Sequence, residues 1–290
     1  MEQLKYSVVI PVYNSEQTLK ELCSRISMFF DKKNEKYEII FVNDFSHDDS
    51  WSVLNSLYAT NSHVKIIDLS KNFGQHNAIL CGFNYANGKY IITLDDDLQH
   101  PPEEIYKLID KIDKGYSVVF GKYVDKKHSL FENLLSSLFQ FMMHKILDTP
   151  SNLYFSSFAI YTKTVAKDMC KIKNSYPFLA ALTAKTTSSS KLANIDVYHN
   201  ERKIGKSNYN IVSHFKFSLN LLINYSSLPL TAIGIGGFVV SIFSLLFGIS
   251  IIIQKILDPN YGLMGWNSLM VAVTLLGGGI LMSVAIVGEY

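Results

Sequence analysis

Arginine is scarce in this 290-residue chain: of 27 basic side chains only Arg25 and Arg202 are arginine. Against 25 acidic residues the formal net charge is +2, and no basic stripe interleaved with aromatics occurs, which argues against a nucleic-acid surface. The three cysteines, Cys23, Cys81 and Cys170, are widely spaced and odd in number. They fit no metal or disulfide framework and read as reduced packing residues of a cytosolic protein face. No G-x-G-x-x-G follows a strand-like run and no G-x-x-x-x-G-K-[ST] occurs, so neither the usual dinucleotide fingerprint nor a P-loop is present. The N-terminus, MEQLKYSVVIPVYN, has no basic stretch followed by a long apolar core and is not a signal peptide. Charge itself is nearly missing from the last quarter: after Lys216 only Lys255, Asp258 and Glu289 are charged.

What is present divides in two. Hydrophobic residues make up 48% of the chain, which excludes a disordered protein, and the mean hydropathy of +0.13 with 18% charge excludes an ordinary one-piece soluble enzyme. Two uncharged apolar stretches, 228–253 and 263–287, are each about 25 residues, roughly 37 Å as helix, against a hydrocarbon core of roughly 30 Å. The alternative is a pair of buried core helices. The short linker QKILDPNYG makes the pair a hairpin. Arg202, Lys203, Lys206, His214 and Lys216 precede the first stretch, which places the N-terminal domain in the cytoplasm and the chain in the inner (plasma) membrane as a multi-pass protein. Small residues at Ala232 and Gly236, at Ser244 and Gly248, and at Gly277–Gly279 suit close helix contact, and leave room for a homo-oligomer; lipid-facing glycines are the alternative. Segments 129–147 and 209–225, rich in Phe, Leu and Met, read as interfacial helices in the headgroup layer. The expected division is a cytoplasmic domain 1–200, a basic and amphipathic segment 201–227, and two transmembrane helices within 228–287.

In the first part, four β-branched runs (YSVVIPVYN, YEIIFVND, VKIIDL and KYIITLDDD) alternate with helical patterns such as SEQTLKELCSRISMFF, which follows a Ser N-cap. Continuous Val/Ile runs predict strands buried on both faces, hence an α/β fold with a mostly parallel sheet. Ligands of such sheets bind beyond the carboxyl ends of the strands. Three of those ends are polar: Pro11-Val12-Tyr13-Asn14, Asn43-Asp44-Phe45-Ser46, and Asp95-Asp96-Asp97-Leu98-Gln99. Three successive carboxylates are costly without a positive partner, and Mg²⁺ or Mn²⁺, completing its shell with phosphate oxygens, is the natural one. In an extended strand Asp95, Asp97 and Gln99 share one side and Asp96 faces the other. A solvated acidic turn before the helix at HPPEE is the bland reading.

These residues carry a resemblance. PVYN at 11–14, NDFSHDDS at 43–50, SKNFGQHNAILCGFNYANGKYIITLDDDLQHPPEEI at 70–105 and ERKIGKSNYN at 201–210 before two spans resemble family 2 glycosyltransferases of the A-type fold. The likeness is to the polyprenyl-phosphate branch, which includes dolichyl-phosphate mannose synthases and bacterial undecaprenyl-phosphate glycosyltransferases. It implies inverting transfer of a sugar from a nucleotide-diphospho-sugar, UDP-linked in preference to GDP-linked, to a polyprenyl phosphate, undecaprenyl first among them, at the cytoplasmic face of a lipid bilayer. It implies donor binding by Pro11, Tyr13, Asn14, Asp44 and Asp96, and Mg²⁺ or Mn²⁺ held by Asp95, Asp97 and Gln99. The acceptor phosphate would be held by Lys122, Arg202, Lys206, Ser207 and Tyr209, with Asp95, Asp97 and Arg202 the catalytic set. A lipid phosphate is already ionised, so no strong base is needed, and His47, His76 and His100 read as capping or packing residues.

Several positions depart from that family's pattern. Ser15 stands where Glu is usual, with Glu16 one step later; Asn43 replaces an Asp and Phe45 a Gly. Ser156-Ser157-Phe158-Ala159 replaces Gly-Asp-Phe-Arg, and Asn208 replaces a frequent Lys. Other readings are a family 2 enzyme acting on a glycan or other membrane-associated acceptor, and a non-catalytic membrane adaptor. A processive polysaccharide synthase needs Gln-x-x-Arg-Trp, and neither Trp51 nor Trp266 follows an arginine.

Overall fold

In a computed structural model the described residues are 4–123, 147, 149–174, 176–198, 200, 225, 228–258 and 265–289. The chain divides into two compact units, Met1–Asn210 and Ile211–Tyr290.

The first unit is built on a seven-stranded sheet of order β3-β2-β1-β4-β6-β5-β7. The strands are β1 (Tyr6–Val12), β2 (Tyr37–Asn43), β3 (Val64–Asp68), β4 (Tyr90–Thr93), β5 (Val118–Tyr123), β6 (Ala159–Thr162) and β7 (Leu192–Val197). The first four pair in parallel, as their Val/Ile runs predict; β6 runs antiparallel to both β4 and β5. Every residue of β1 and β2 is buried, because side chains alternate into two separate cores. Val8, Ile10 and Val12 meet α1 (Leu19–Lys32), α2 (Ser50–Thr60) and α4 (Ile105–Ile112) on one face. Val9, Ile40 and Val42 meet α3 (Gln75–Tyr85), α5 (Lys163–Lys171) and α6 (Leu179–Thr186) on the other. Of the cysteines, Cys23 is buried and all three are free, as packing residues should be.

Two local details differ from the sequence expectation. The first helix starts at Leu19, and Ser15 is not its N-cap; the Ser15 hydroxyl donates instead to Asp96, 2.5 Å away, leaving Thr18 to open the helix. The fourth strand stops at Thr93, so the carboxylates beyond it lie in a turn, not in strand phase.

The chain passes from β1 outward to β3 and then returns to place β4 on the opposite side of β1. The crevice beyond β1 and β4 is therefore the topological switch point of the sheet, where ligands of open α/β folds bind. Pro11 fits this geometry. Val12 accepts from Asp44 on the β2 side, whereas Val9 accepts from Leu94 on the β4 side, so the imide of Pro11 faces β4. The β1–β4 ladder ends at Val9 and Thr93, so the missing N–H removes no sheet bond.

Among the described residues the second unit contains a pair of long helices, α7 (Leu228–Leu257) and α8 (Trp266–Glu289). Leu230–Leu257 and Ser268–Val287 are long and apolar enough to cross a membrane, and their apolar side chains are mostly exposed, unlike those of a soluble core helix. α7 runs past Ile253 and ends before Asp258, the residue preceding Pro259, a position where helix is disfavoured. The helices meet along one seam. A Cβ on Gly237 would lie 2.8 Å from the Gly278 carbonyl oxygen, one on Gly234 2.7 Å from Ala285 Cβ, and one on Gly248 3.1 Å from Val271. Ser244 and Thr274 hydroxyls share a hydrogen bond within it. Ala232 and Gly236, expected at the contact, are exposed; the seam runs one residue on, through Gly237.

Candidate active site

Three strand ends converge at the switch point. Beyond β1 and β2, residues 14–16 and 46–50 are laced together by five hydrogen bonds. Asn14 N donates to Ser46 Oγ (3.0 Å), His47 N to Asn14 Oδ1 (2.7 Å) and Ser15 N to Ser50 Oγ (2.8 Å). Glu16 N donates to Asp48 Oδ2 (3.1 Å) and Asp49 N to Glu16 Oε2 (2.9 Å). Asn14 thus uses its side-chain oxygen to join loops, at a positive φ of 54° that asparagine tolerates.

Asp44, 3% exposed, accepts the N–H groups of Phe73 (2.7 Å) and Gly74 (2.8 Å), one on each carboxylate oxygen. It pins the turn that starts α3. Asn43 is buried beside it and donates to Asp68 at 2.7 Å.

The acidic turn sends its three carboxylates in different directions. Asp96 faces the β1 loop and accepts from Ser15 Oγ (2.5 Å) and Tyr13 N (3.0 Å), while its carbonyl accepts from Thr18 Oγ1 (2.5 Å). Burial pushes the Asp96 carboxyl up to about 6, opposed by those two donors and reinforced by the charges of Asp95 and Asp97. Asp95 accepts from Gln75 Nε2 (2.7 Å) on one oxygen and Ser157 Oγ (2.5 Å) on the other, with His100 Nδ1 at 3.5 Å. Asp97 accepts from Gln99 N at 3.1 Å, closing a turn in which Leu98 has a φ of 61°.

His100 is a packing residue with a polar errand. Its ring stacks between Tyr123 and Phe158, each 5.3 Å centroid to centroid, and its Nε2 lies 2.6 Å from the Tyr123 hydroxyl. Burial first, then the charge of Asp95, raises the Tyr123 phenol above its ordinary value, so it keeps its proton. The ring's tautomer sets the direction of that hydrogen bond, and its Nδ1 faces Asp95. His76, in the first turn of α3, sits edge-on to Phe178, and burial lowers it to about 4; it packs as a neutral ring. His47 lies exposed between Tyr13 and Phe45.

The structure therefore brings together Tyr13, Asn14, Asp44, Asp95, Asp96, Asp97 and Gln99, with buried Pro11 beneath them in β1. Lys122 is exposed near the end of β5. Arg202, Lys206, Ser207 and Tyr209, and the segments 129–146 and 209–224, lie outside the described residues. Sequence reasoning passed over Gln75 and Tyr123, and marked Ser157 only as a departure from the family pattern. Gln75 was visible within the SKNFGQHN run, but Ser157 and Tyr123 are joined to Asp95 and His100 only by the fold.

Among the described residues no three His, Cys, Asp or Glu side chains gather as a metal-holding set. Two aspartates and a glutamine on one open turn fit a hard divalent cation that takes one or two carboxylates and fills its shell with phosphate oxygens and water. They do not fit a self-sufficient protein cage.

Residues 7–170 match the family described as glycosyl transferase family 2. The chain is 34% identical over 289 residues to the undecaprenyl-phosphate 4-deoxy-4-formamido-L-arabinose transferase of Shewanella sediminis (strain HAW-EB3), covering 98% of this chain and 86% of that protein. It is 31% identical over 288 residues to the uncharacterized glycosyltransferase YkcC of Bacillus subtilis (strain 168), covering 99% and 88%. Among solved structures, glucosyl-3-phosphoglycerate synthase from Mycobacterium tuberculosis in complex with Mn²⁺ and UDP-glucose gives a TM-score of 0.56 at 16% identity, over 76% of this chain and 77% of that one. Mannosyl-3-phosphoglycerate synthase from Rubrobacter xylanophilus gives 0.54 at 12% identity, over 76% and 72%. At these identities the likeness concerns the fold, which is the A-type glycosyltransferase fold expected from the sequence.

Proposed function

The chain belongs to glycosyl transferase family 2, and on that premise we propose that it moves a sugar from a nucleotide-diphospho-sugar to undecaprenyl phosphate. The donor is UDP-linked in preference to GDP-linked, and transfer takes place at the cytoplasmic face of the inner membrane, which the two C-terminal helices span. The observation that carries this reading is one chain holding both halves of the problem: a carboxylate turn at the switch point for a water-soluble donor, and an apolar hairpin for a lipid acceptor. A match over 98% of the chain to a protein named for an undecaprenyl-phosphate transfer supports the pairing.

In this reading Asp95, Asp97 and Gln99 would hold Mg²⁺ or Mn²⁺, which supplies charge to stabilise a leaving diphosphate. Gln75, Ser157 and His100 keep Asp95 oriented before the donor arrives. Asp96 holds the Tyr13 backbone, so that the β1 loop and the acidic turn move as one body around the donor. Lys122, Arg202, Lys206, Ser207 and Tyr209 bind the acceptor phosphate, Arg202 by a bidentate fork that lysine cannot make. An acceptor phosphate oxygen forms the new bond to the anomeric carbon as the bond to the diphosphate breaks in line. The configuration inverts, and no proton has to be removed from the attacking oxygen.

The test uses membranes carrying the full chain, incubated with labelled nucleotide-sugars, Mg²⁺ or Mn²⁺ and undecaprenyl phosphate, then extracted with organic solvent. Label in a mild-acid-labile lipid that is lost in Asp97→Ala is the expected result. Arg202→Ala should cut lipid labelling much more than it weakens nucleotide binding. Label in polymer or protein, or equal loss of transfer and nucleotide binding in Arg202→Ala, overturns the acceptor assignment.

A further inference from the structure

We infer that Phe45 and Phe73 are the residues that grip the base of the donor by ring stacking, an inference that rests on the nucleotide-sugar reading above. Phenylalanine has no polar atom to justify exposure, and the other described phenylalanines of the first unit are buried or half-buried. These two are exposed by 43% and 44%, and both flank the buried end of β2 at Asp44. Phe73 is anchored there by its own N–H, 2.7 Å from Asp44 Oδ1. Phe45 follows Asp44 directly.

The backbone of Phe45 makes exposure harder to dismiss as accident. Its φ is 61°, in the left-handed region that bulky residues adopt only under strain. Strain of that kind persists where the surroundings over-determine it. Here Asp44 is fixed on one side by two backbone donors, and on the other Ser46 and His47 are tied to Asn43 and Asn14. The Phe45 ring stands edge-on to His47 at 5.3 Å, and His47 edge-on to Tyr13 at 6.4 Å. The backbone N–H of Tyr13 in turn donates to Asp96 in the acidic turn. A row of rings thus leads from the end of β2 to the carboxylates that would face a diphosphate. A planar heteroaromatic ring joined to two phosphates matches that row in both chemistry and order. Aromatic faces accept any base, so the platform supplies affinity, and the polar edge of the base is read elsewhere.

The experiment titrates the full-length chain in nanodiscs with UDP, with GDP, and with inorganic pyrophosphate, each with Mn²⁺, by calorimetry, alongside a thermal scan. Phe45→Gly should raise the melting temperature, because glycine relieves the positive φ, while weakening the tighter-binding nucleotide about tenfold, as for a lost base–ring stack. Pyrophosphate affinity should stay within twofold, and Phe45→Tyr should keep nucleotide affinity. Phe73→Leu, which leaves the backbone bond to Asp44 in place, should weaken the nucleotide in the same way. Nucleotide affinity within twofold in both Phe45→Gly and Phe73→Leu overturns the inference, as does equal weakening of pyrophosphate. If the unmodified chain binds neither UDP nor GDP, the nucleotide-sugar reading itself falls, which is a separate result.

Discussion

Glu38→Ala isolates what holds the sheet beneath the site. Glu38 is 4% exposed at the end of the sheet opposite the acidic turn. Its Oε1 accepts from Ser7 Oγ at 2.6 Å and Asn87 N at 2.8 Å, and its Oε2 from Lys65 Nζ at 2.6 Å. The Ser7 hydroxyl also accepts from Gly88 N at 2.8 Å, so one carboxylate ties β1, β2, β3 and the turn into β4. Truncation leaves the Ser7 hydroxyl and the Asn87 N–H short of a partner, at about 1–3 kcal/mol each, while half-exposed Lys65 returns to water at little cost. The sum is about 4 kcal/mol, a fall of roughly 8–16 °C for a unit of this size. A thiol-reactive dye that reports exposure of buried Cys23 during heating measures it. The pH dependence has a definite sign. Burial raises the Glu38 carboxyl, but the Lys65 ammonium and the Ser7 and Asn87 donors outweigh it and hold it below 4.5. A depressed carboxyl contributes stability that is fully present above its unfolded value and lost as pH falls through its folded value. The gap between the natural chain and Glu38→Ala should therefore be widest near neutrality and narrow below about pH 4.5. Nucleotide affinity well below melting should be unchanged. A pH-independent gap, or one under about 1 kcal/mol, would refute the clamp.

Two further outcomes follow from single contacts. Ser157→Ala removes the 2.5 Å bond to Asp95, and loss of a bond to a charged group predicts about a tenfold fall in turnover. Mn²⁺ binding measured by electron paramagnetic resonance should weaken in parallel, and Ser157→Thr should restore both; unaltered Mn²⁺ binding would count against the orienting role. In the hairpin, a Cβ at Gly278 meets the Ser241 hydroxyl and lies 2.7 Å from the Gly237 carbonyl oxygen, so Gly278→Leu should part the helices. A disulfide between Ser244→Cys and Thr274→Cys should form in the natural background and fail with Gly278→Leu; equal cross-linking in both would contradict the seam.

Much of the fold was legible because burial on both faces leaves continuous Val/Ile runs, which mark β1 to β4 directly. The other three strands were not. β6 is four residues of AIYT, β7 carries an aspartate on a half-exposed edge, and β5 ends in Gly-Lys-Tyr, so none offers the same run. The acidic turn was legible as a site, but its geometry was not. Strand alternation stops at Thr93, and what aims Asp95 and Asp96 are partners at a sequence distance: Ser157, Gln75 and Ser15. The helix seam was legible at Ser244 and Gly248 but not at Ala232 and Gly236, where the contact runs through Gly234 and Gly237, for a similar reason. Spacing along α7 shows several stripes of small residues, and the facing register of α8 selects one of them.

Three of the departures from the family pattern form a set once their contacts are known. Ser15 donates to Asp96, Asn43 to Asp68, and Ser157 to Asp95. Three neutral donors thus occupy positions where the pattern has carboxylates, and each gives its hydrogen to a carboxylate of this chain. Had acids stayed at 15, 43 and 157, each would sit beside an existing aspartate, and like charges at that distance push one pKa up sharply. Asp95 and Asp96 are half-buried and Asp68 is exposed; a site out of use gains nothing from keeping the first two, because a half-buried carboxylate needs donors that an apolar residue does not. Here each of the three charges has a neutral donor beside it. That pattern argues against the adaptor reading from within the molecule, and it places the chain's individuality in the wiring of its carboxylates, with Asp95 and Asp97 themselves unchanged.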